Sequence, residues 1–145
     1  MHFEGSFEAP VEKGKLYSFV TDPKRLVTVI PDVRESRITG DDRFSVRANA
    51  GVGPLKGLLD MDFTLADKKP GRSVKVIGKG RGMQSTIDLT LSLELGDRPG
   101  GCEGRWVAEV GVGGMLASVG GRLISGVAEK YVNRITEDLR KKAGE

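Results

Sequence analysis

The sequence predicts an α+β fold: a curved antiparallel sheet of about seven strands, two short helices after the first strand, and one long C-terminal helix packed on one sheet face. Three observations predict it. Apolar and polar residues alternate in seven separate runs, at 2–9, 33–39, 43–52, 58–66, 73–83, 85–95 and 103–112, the period-2 signature of strands with one wet face. Two short helical patterns stand between the first run and the second, punctuated by Pro10, Pro23 and Pro31. Residues 115–142 keep helical spacing. One long helix on one face of a curved sheet is the economical way to bury both apolar surfaces. The chain has 145 residues, a length suited to one domain spanning 1–145.

HFEGSFEA opens the chain with Phe3, Gly5, Phe7 and Ala9 facing one way, and Pro10 ends it. VEKGKLYSFV puts Leu16, Phe19 and Val20 on one helical side. Asp22 is placed to cap the next helix and Pro23 to begin it; Pro31 ends it. In the strands that follow, Phe44, Val46, Ala48 and Ala50 point inward, then Leu59, Met61, Phe63 and Leu65. Val74, Val76, Gly78, Gly80 and Gly82 share a face, as do Ile87, Leu89, Leu91, Leu93 and Leu95, and Trp106, Ala108, Val110 and Val112. Turn residues at 40–42, 68–71 and 96–101 separate the runs.

Composition narrows the function. Hydrophobic residues are 38% and charged residues 30%, as in ordinary globular chains. A net charge of +3 and a pI of about 9.1 are too weak a bias to point to nucleic acid. With one cysteine, Cys102, an intramolecular disulfide and a Cys/His zinc site are excluded. With one histidine, His2 beside the N-terminus, a His-based triad would have to use that residue, and none is expected. No cofactor or metal is expected. No run reaches the roughly 20 apolar residues of a membrane helix, and no signal peptide is visible. The expectation is a cytoplasmic protein, at most peripheral to a membrane. Gln84 is the only glutamine and Asn49 and Asn133 the only asparagines, which hints at a thermophilic source.

The run VGVGGMLASVGGRLISG at 110–126 holds six glycines, although glycine costs about 1 kcal/mol relative to alanine within a helix. A phosphate loop does not fit: Leu116 stands where the G-x-G-x-x-G pattern needs its last glycine, and no strand–helix–strand unit surrounds it. A membrane helix does not fit either, because Arg122 interrupts the segment and Glu129 and Lys130 follow. What fits is a helix with one thinned edge, Gly114, Ala117, Ser118, Gly121, Ser125 and Ala128. Facing the strand glycines 78, 80 and 82, that edge either packs tightly on the sheet or leaves a space beside it.

Individual residues add little chemistry. Asp60 and Asp62, two apart on a polar strand face, read as a solvated surface rather than an acid–base pair. Lys75, Lys79 and Arg81 form a basic row that also suits solvent, with contact to an anionic lipid or partner as the alternative. Cys102 is expected in a turn, with no base beside it. Trp106, the only tryptophan, is either a core aromatic or a ligand wall.

Three stretches carry a family resemblance: 5–33, GSFEAPVEKGKLYSFVTDPKRLVTVIPDV; 50–67, AGVGPLKGLLDMDFTLAD; and 106–132, WVAEVGVGGMLASVGGRLISGVAEKYV. Their marks are Ala9-Pro10, Asp22-Pro23, Pro31, Gly51-Val52-Gly53 with Lys56-Gly57, and the Gly-Gly-x-Leu-Ala-x-x-Gly helix start. On these the chain resembles the CoxG family of carbon monoxide dehydrogenase subunits, within the START-like, polyketide-cyclase-like (SRPBCC) helix-grip superfamily. The resemblance implies a C-terminal helix gripped by the sheet, with a cavity between them for an apolar ligand. It also implies a molybdenum-containing carbon monoxide dehydrogenase as partner, in membrane recruitment or quinone delivery. Some members carry a linker and hydrophobic tail after the domain; the sequence ends at Glu145 without either, so transient membrane-surface contact is the expectation.

The resulting expectation is a non-enzymatic binding protein for a lipid-like or quinone-like molecule. Its expected lining is Phe63, Val76, Gly78, Leu91, Trp106, Ala117, Gly121 and Ile124. Leu26, Val27 and Ile30, on the short helix between Pro23 and Pro31, are expected to act as core or lid at the cavity mouth. The alternatives are a ligand-free adaptor that docks on a redox enzyme, and a cyclase-like enzyme of the same fold.

Overall fold

The computed structural model describes residues 1–144. Strand β1 (His2–Ala9) leads into helix α1 (Lys13–Val20) and helix α2 (Pro23–Leu26), which tightens into a 3-10 turn at Val27–Val29. Six strands follow: β2 (Val33–Gly40), β3 (Arg43–Val52), β4 (Leu55–Lys69), β5 (Ser73–Gly82), β6 (Ser85–Arg98) and β7 (Gly101–Gly114). A 3-10 turn (Met115–Ser118) precedes helix α3 (Gly121–Lys142). All seven strands form one antiparallel sheet in the order β1-β7-β6-β5-β4-β3-β2. The chain climbs the sheet by hairpins from β2 to β7, and β1 completes the far edge.

Local chemistry explains the boundaries. Asp22 caps α2 by accepting the Lys24 N–H at 3.1 Å, and Pro23 takes the first helical turn, as expected. The β5–β6 hairpin turns on Met83 and Gln84, both with positive φ, the backbone of a tight two-residue hairpin. Between β6 and β7 only Pro99 and Gly100 remain outside the ladder. Cys102 therefore lies within β7, opposite Asp97, and is 1% exposed rather than in a turn. The two strands simply continue pairing to the tip, because each added residue satisfies backbone donors and acceptors.

The long helix begins later than its spacing predicts. Gly113 and Gly114 complete β7, residues 115–118 form the separate 3-10 turn, and Gly120 at φ +94° breaks any continuous helix from 115. The physical cause is an anchor. The Leu116 N–H donates to the buried Ser85 Oγ at 2.9 Å, and Ser85 in turn donates to the Met83 carbonyl at 3.0 Å. That clamp holds Leu116 against the β5–β6 hairpin, so α3 restarts at Gly121.

Helix α3 crosses the inner face and approaches β1, β3 and the 27–29 turn. Its fixings are spread along its length. Leu123 rests on bare Gly53 at the β3–β4 tip. Arg134 pairs with Asp32 at 3.1 Å, Lys142 Nζ donates to the Thr28 carbonyl at 2.8 Å, and Arg140 Nε to the Glu8 carbonyl at 2.8 Å. Beneath it the buried side chains form three clusters rather than one. The first joins Phe7, Leu16, Phe19, Val74, Leu93, Cys102 and Leu139 among others. The second is Phe44, Val46 and Met61; the third is Val52, Leu116 and Ile124.

Candidate ligand-binding groove

The inner sheet face is apolar because direct cross-strand partners share a face. One row runs Phe44, Phe63, Gly78, Leu89 and Val110; the next runs Leu65, Val76, Leu91, Ala108 and Phe3. Phe44, Leu65 and Ala108 are buried, but Phe63, Val76, Leu89, Leu91 and Val110 are only partly so. Parts of the inner face are thus only half-buried.

At the β1 end of that face, where the second row ends on Phe3, a groove lies between α3 and β1. Its volume is about 800 Å³. Phe3, Gly5, Phe7 and Trp106 form the floor, and Ser125, Ala128, Val132 and Thr136 of α3 form the wall. Trp106 stands directly opposite Gly5. A Cβ on Gly5 would lie 2.8 Å from Cζ2, 3.0 Å from Cε2 and 3.1 Å from Nε1 of the indole. The ring therefore lies on the bare backbone of β1, an arrangement only glycine permits. Phe7 covers Gly104 in the same way, 2.6 Å from where its Cβ would be.

The charged and amide groups of the groove stand at its rim, and Ser125 and Thr136 add hydroxyls to its wall. His2, Glu4, Glu129, Asn133, Glu137 and Arg140 line the outer edge, and all six are exposed. His2 bonds to Glu109 and Glu4, and these two carboxylates hold its imidazole above the ordinary value. On the other flank of α3, burial raises the Tyr131 phenol, with Asp32 adding to the effect. Burial likewise raises the Cys102 thiol, which leaves it protonated and unreactive at neutral pH. Among the described residues no buried side-chain polar atom lacks a partner, and no three potential metal ligands converge.

The expected lining residues divide among the clusters. Val76, Leu91 and Trp106 pack against the first, and Phe63 against the second, where it stacks on Phe44 at 5.0 Å between centroids. Gly78 is buried under the Phe63 ring, 3.0 Å from a Cβ position, so its bare surface is filled rather than open. Met61 covers Gly80 in the same fashion. Ile124 belongs to the third cluster. Ala117 lies exposed in the 3-10 turn, and Gly121 is exposed at the start of α3 with nothing within 4 Å of a Cβ. Of the eight, Trp106 alone lines the groove. Leu26, Val27 and Ile30 are half-buried against Phe44 and Met61, with Leu26 also touching the first cluster. The groove also takes in Phe3, Gly5, Phe7 and Val132, which the sequence-based lining omits. The alternation of β1 marks the first three as inward, and the spacing of Ala128, Val132 and Thr136 marks the wall.

A long C-terminal helix gripped across a seven-stranded antiparallel sheet, with short helices after strand one, defines a START-like protein. Solved structures share that fold. A conserved protein from Geobacillus kaustophilus superposes with a TM-score of 0.91 at 22% identity, over 99% of this chain and 95% of its own. A START superfamily protein from Mycobacterium smegmatis gives 0.73 at 9% identity, over 99% and 97%. Ara h 8.0201 gives 0.70 at 14% identity, over 99% and 97%. The model of CoxG, a family of carbon monoxide dehydrogenase subunits, matches residues 5–144, and the chain belongs to that family. A search of curated proteins finds no match. Family and fold together support a ligand-binding accessory protein. No helix of the described residues is long and apolar enough to cross a membrane.

Proposed function

We propose that this protein is a non-enzymatic carrier that holds a quinone-like or lipid-like molecule between the sheet and α3, in the service of a molybdenum-containing carbon monoxide dehydrogenase. The observation that carries the reading is the groove of about 800 Å³ between α3 and β1, floored by Phe3, Phe7 and Trp106. A volume of that size lies in the usual range for small-molecule sites. Burial at about 25 cal/mol per Å² of apolar surface would supply the affinity. Trp106, Phe3 and Phe7 would lie under the ligand, and Ala128 and Val132 of α3 beside it. Segment 23–30, with Leu26, Val27 and Ile30, would adjust around it.

The test uses the single tryptophan. Titration with a short-chain ubiquinone analogue should quench Trp106 emission saturably, and native mass spectrometry should show one adduct per chain. Palmitate, which does not quench indole, should compete. If neither compound forms an adduct and emission falls only by non-saturating collision, the carrier reading fails.

A further inference from the structure

We infer that the free edge of β2 pairs antiparallel with β2 of a second copy, about a two-fold axis through Ser36. The observation is a charge pattern on the sheet face opposite α3. Direct cross-strand partners place Glu35 beside Arg47, Arg47 beside Asp60, and Asp60 beside Arg81. The neighbouring row places Arg37 beside Ser45, Ser45 beside Asp62, Asp62 beside Lys79, and Lys79 beside Asp88. Charges that meet directly within these rows are opposite in sign. Arg47 pairs with Asp60 at 2.8 Å, and Ser45 donates to Asp62 at 2.6 Å.

At the β2 edge the two rows end on opposite signs, Glu35 in one and Arg37 in the other. Seven of the eight β2 residues, all but Val33, are exposed, and neither Glu35 nor Arg37 has an ion-pair partner within 4.0 Å among the described residues. A strand edge of this kind offers unpaired backbone donors and acceptors.

Register follows from the chemistry. A two-fold axis perpendicular to the sheet keeps each side chain on its own face, so it must pass through a residue. An axis at Glu35 would oppose two carboxylates, and one at Arg37 two guanidinium groups. An axis at Ser36 opposes Glu35 with Arg37 of the second copy, twice, and leaves the small Ser36 facing itself. Opposite charges then meet across the seam as they do within each sheet. Residues 35–38 pair with β3 in regular register, and the irregularities fall outside them, so the residues that meet at this axis, 35 to 37, lie in the regular stretch. Opposite charges directly across a strand pair are stabilising and like charges destabilising.

Sedimentation equilibrium across the micromolar range tests the inference, with circular dichroism to confirm that each variant is folded. The wild type should approach twice the 15.6 kDa chain mass as concentration rises. Glu35→Arg alone and Arg37→Glu alone should each hold the protein at the single-chain mass, and the double swap should restore the doubled mass. Ser36→Asp, which opposes two carboxylates at the axis, should also abolish it. A wild type that stays at the single-chain mass overturns the inference, as does a dimer indifferent to both single reversals.

Discussion

Glycines that read alike in the sequence divide into two physical classes at the scale of single residues. Gly5, Gly78, Gly80 and Gly104 are each covered by a large cross-strand neighbour, namely Trp106, Phe63, Met61 and Phe7. Gly120, Gly121 and Gly126 have nothing within 4 Å of a Cβ. Opposite mutational signs follow. Gly104→Ala drives a methyl to 2.6 Å from the buried Phe7 ring, and overpacking of this kind costs about 1–3 kcal/mol. Gly126→Ala, within α3 and unobstructed, should stabilise by up to about 1 kcal/mol through helix propensity. Urea denaturation of the two variants should move the midpoint in opposite directions. His2 offers a pH test at the same scale. Its hydrogen bonds to Glu109 and Glu4 raise its folded-state pKa above 6.5. Their stabilising effect is complete below the unfolded-state value and is lost as pH rises through the higher folded one. NMR titration of the single histidine should therefore give a value above 6.5, and Glu109→Gln should move it back down.

At the scale of elements, Ser85 decides where α3 begins. Ser85→Ala removes the acceptor for the buried Leu116 N–H, and an unsatisfied buried donor costs about 1–3 kcal/mol. Hydrogen exchange should show faster exchange at Leu116 and the following turn, with the middle of α3 unchanged. This contact also explains the limit of sequence reading there. Strand alternation, the Asp22-Pro23 cap and the inward faces are all legible because they are local patterns. The helix start is not, because a serine thirty-one positions upstream fixes it. The same holds for the strand glycines: Gly78 and Gly80 share an inward face in the sequence, but only the register with Phe63 and Met61 shows that neighbours fill their space. Cys102 departs from its expected turn for a related reason, since turn residues mark the vicinity of a hairpin and the ladder fixes its tip.

For the whole molecule, the three clusters are bridged by Leu26 and Ile87, and the inner face is not sealed along its whole length. Leu89 and Val110, in the middle of that face, are only half-buried. Helix α3 is held at its ends and flanks, by Leu123 on Gly53, Arg134 with Asp32, Arg140 with Glu8 and Lys142 with Thr28. The groove-lining Ser125, Ala128 and Val132 fall between the fixings at Leu123 and at Arg134. Two substitutions on that helix distinguish the groove from the thinned edge read in the sequence. Ala128→Phe projects a ring into the space over Trp106, from a residue that already lines it. Gly121→Leu adds a larger side chain where there is only open surface. Both should fold with similar thermal midpoints. Ala128→Phe should weaken quenching by the ubiquinone analogue by about tenfold or more, equivalent to about 1.4 kcal/mol, while Gly121→Leu should leave it unchanged. The reverse result would place the ligand at the N-terminal end of α3, beside Ile124 and Leu116, and away from the β1 groove.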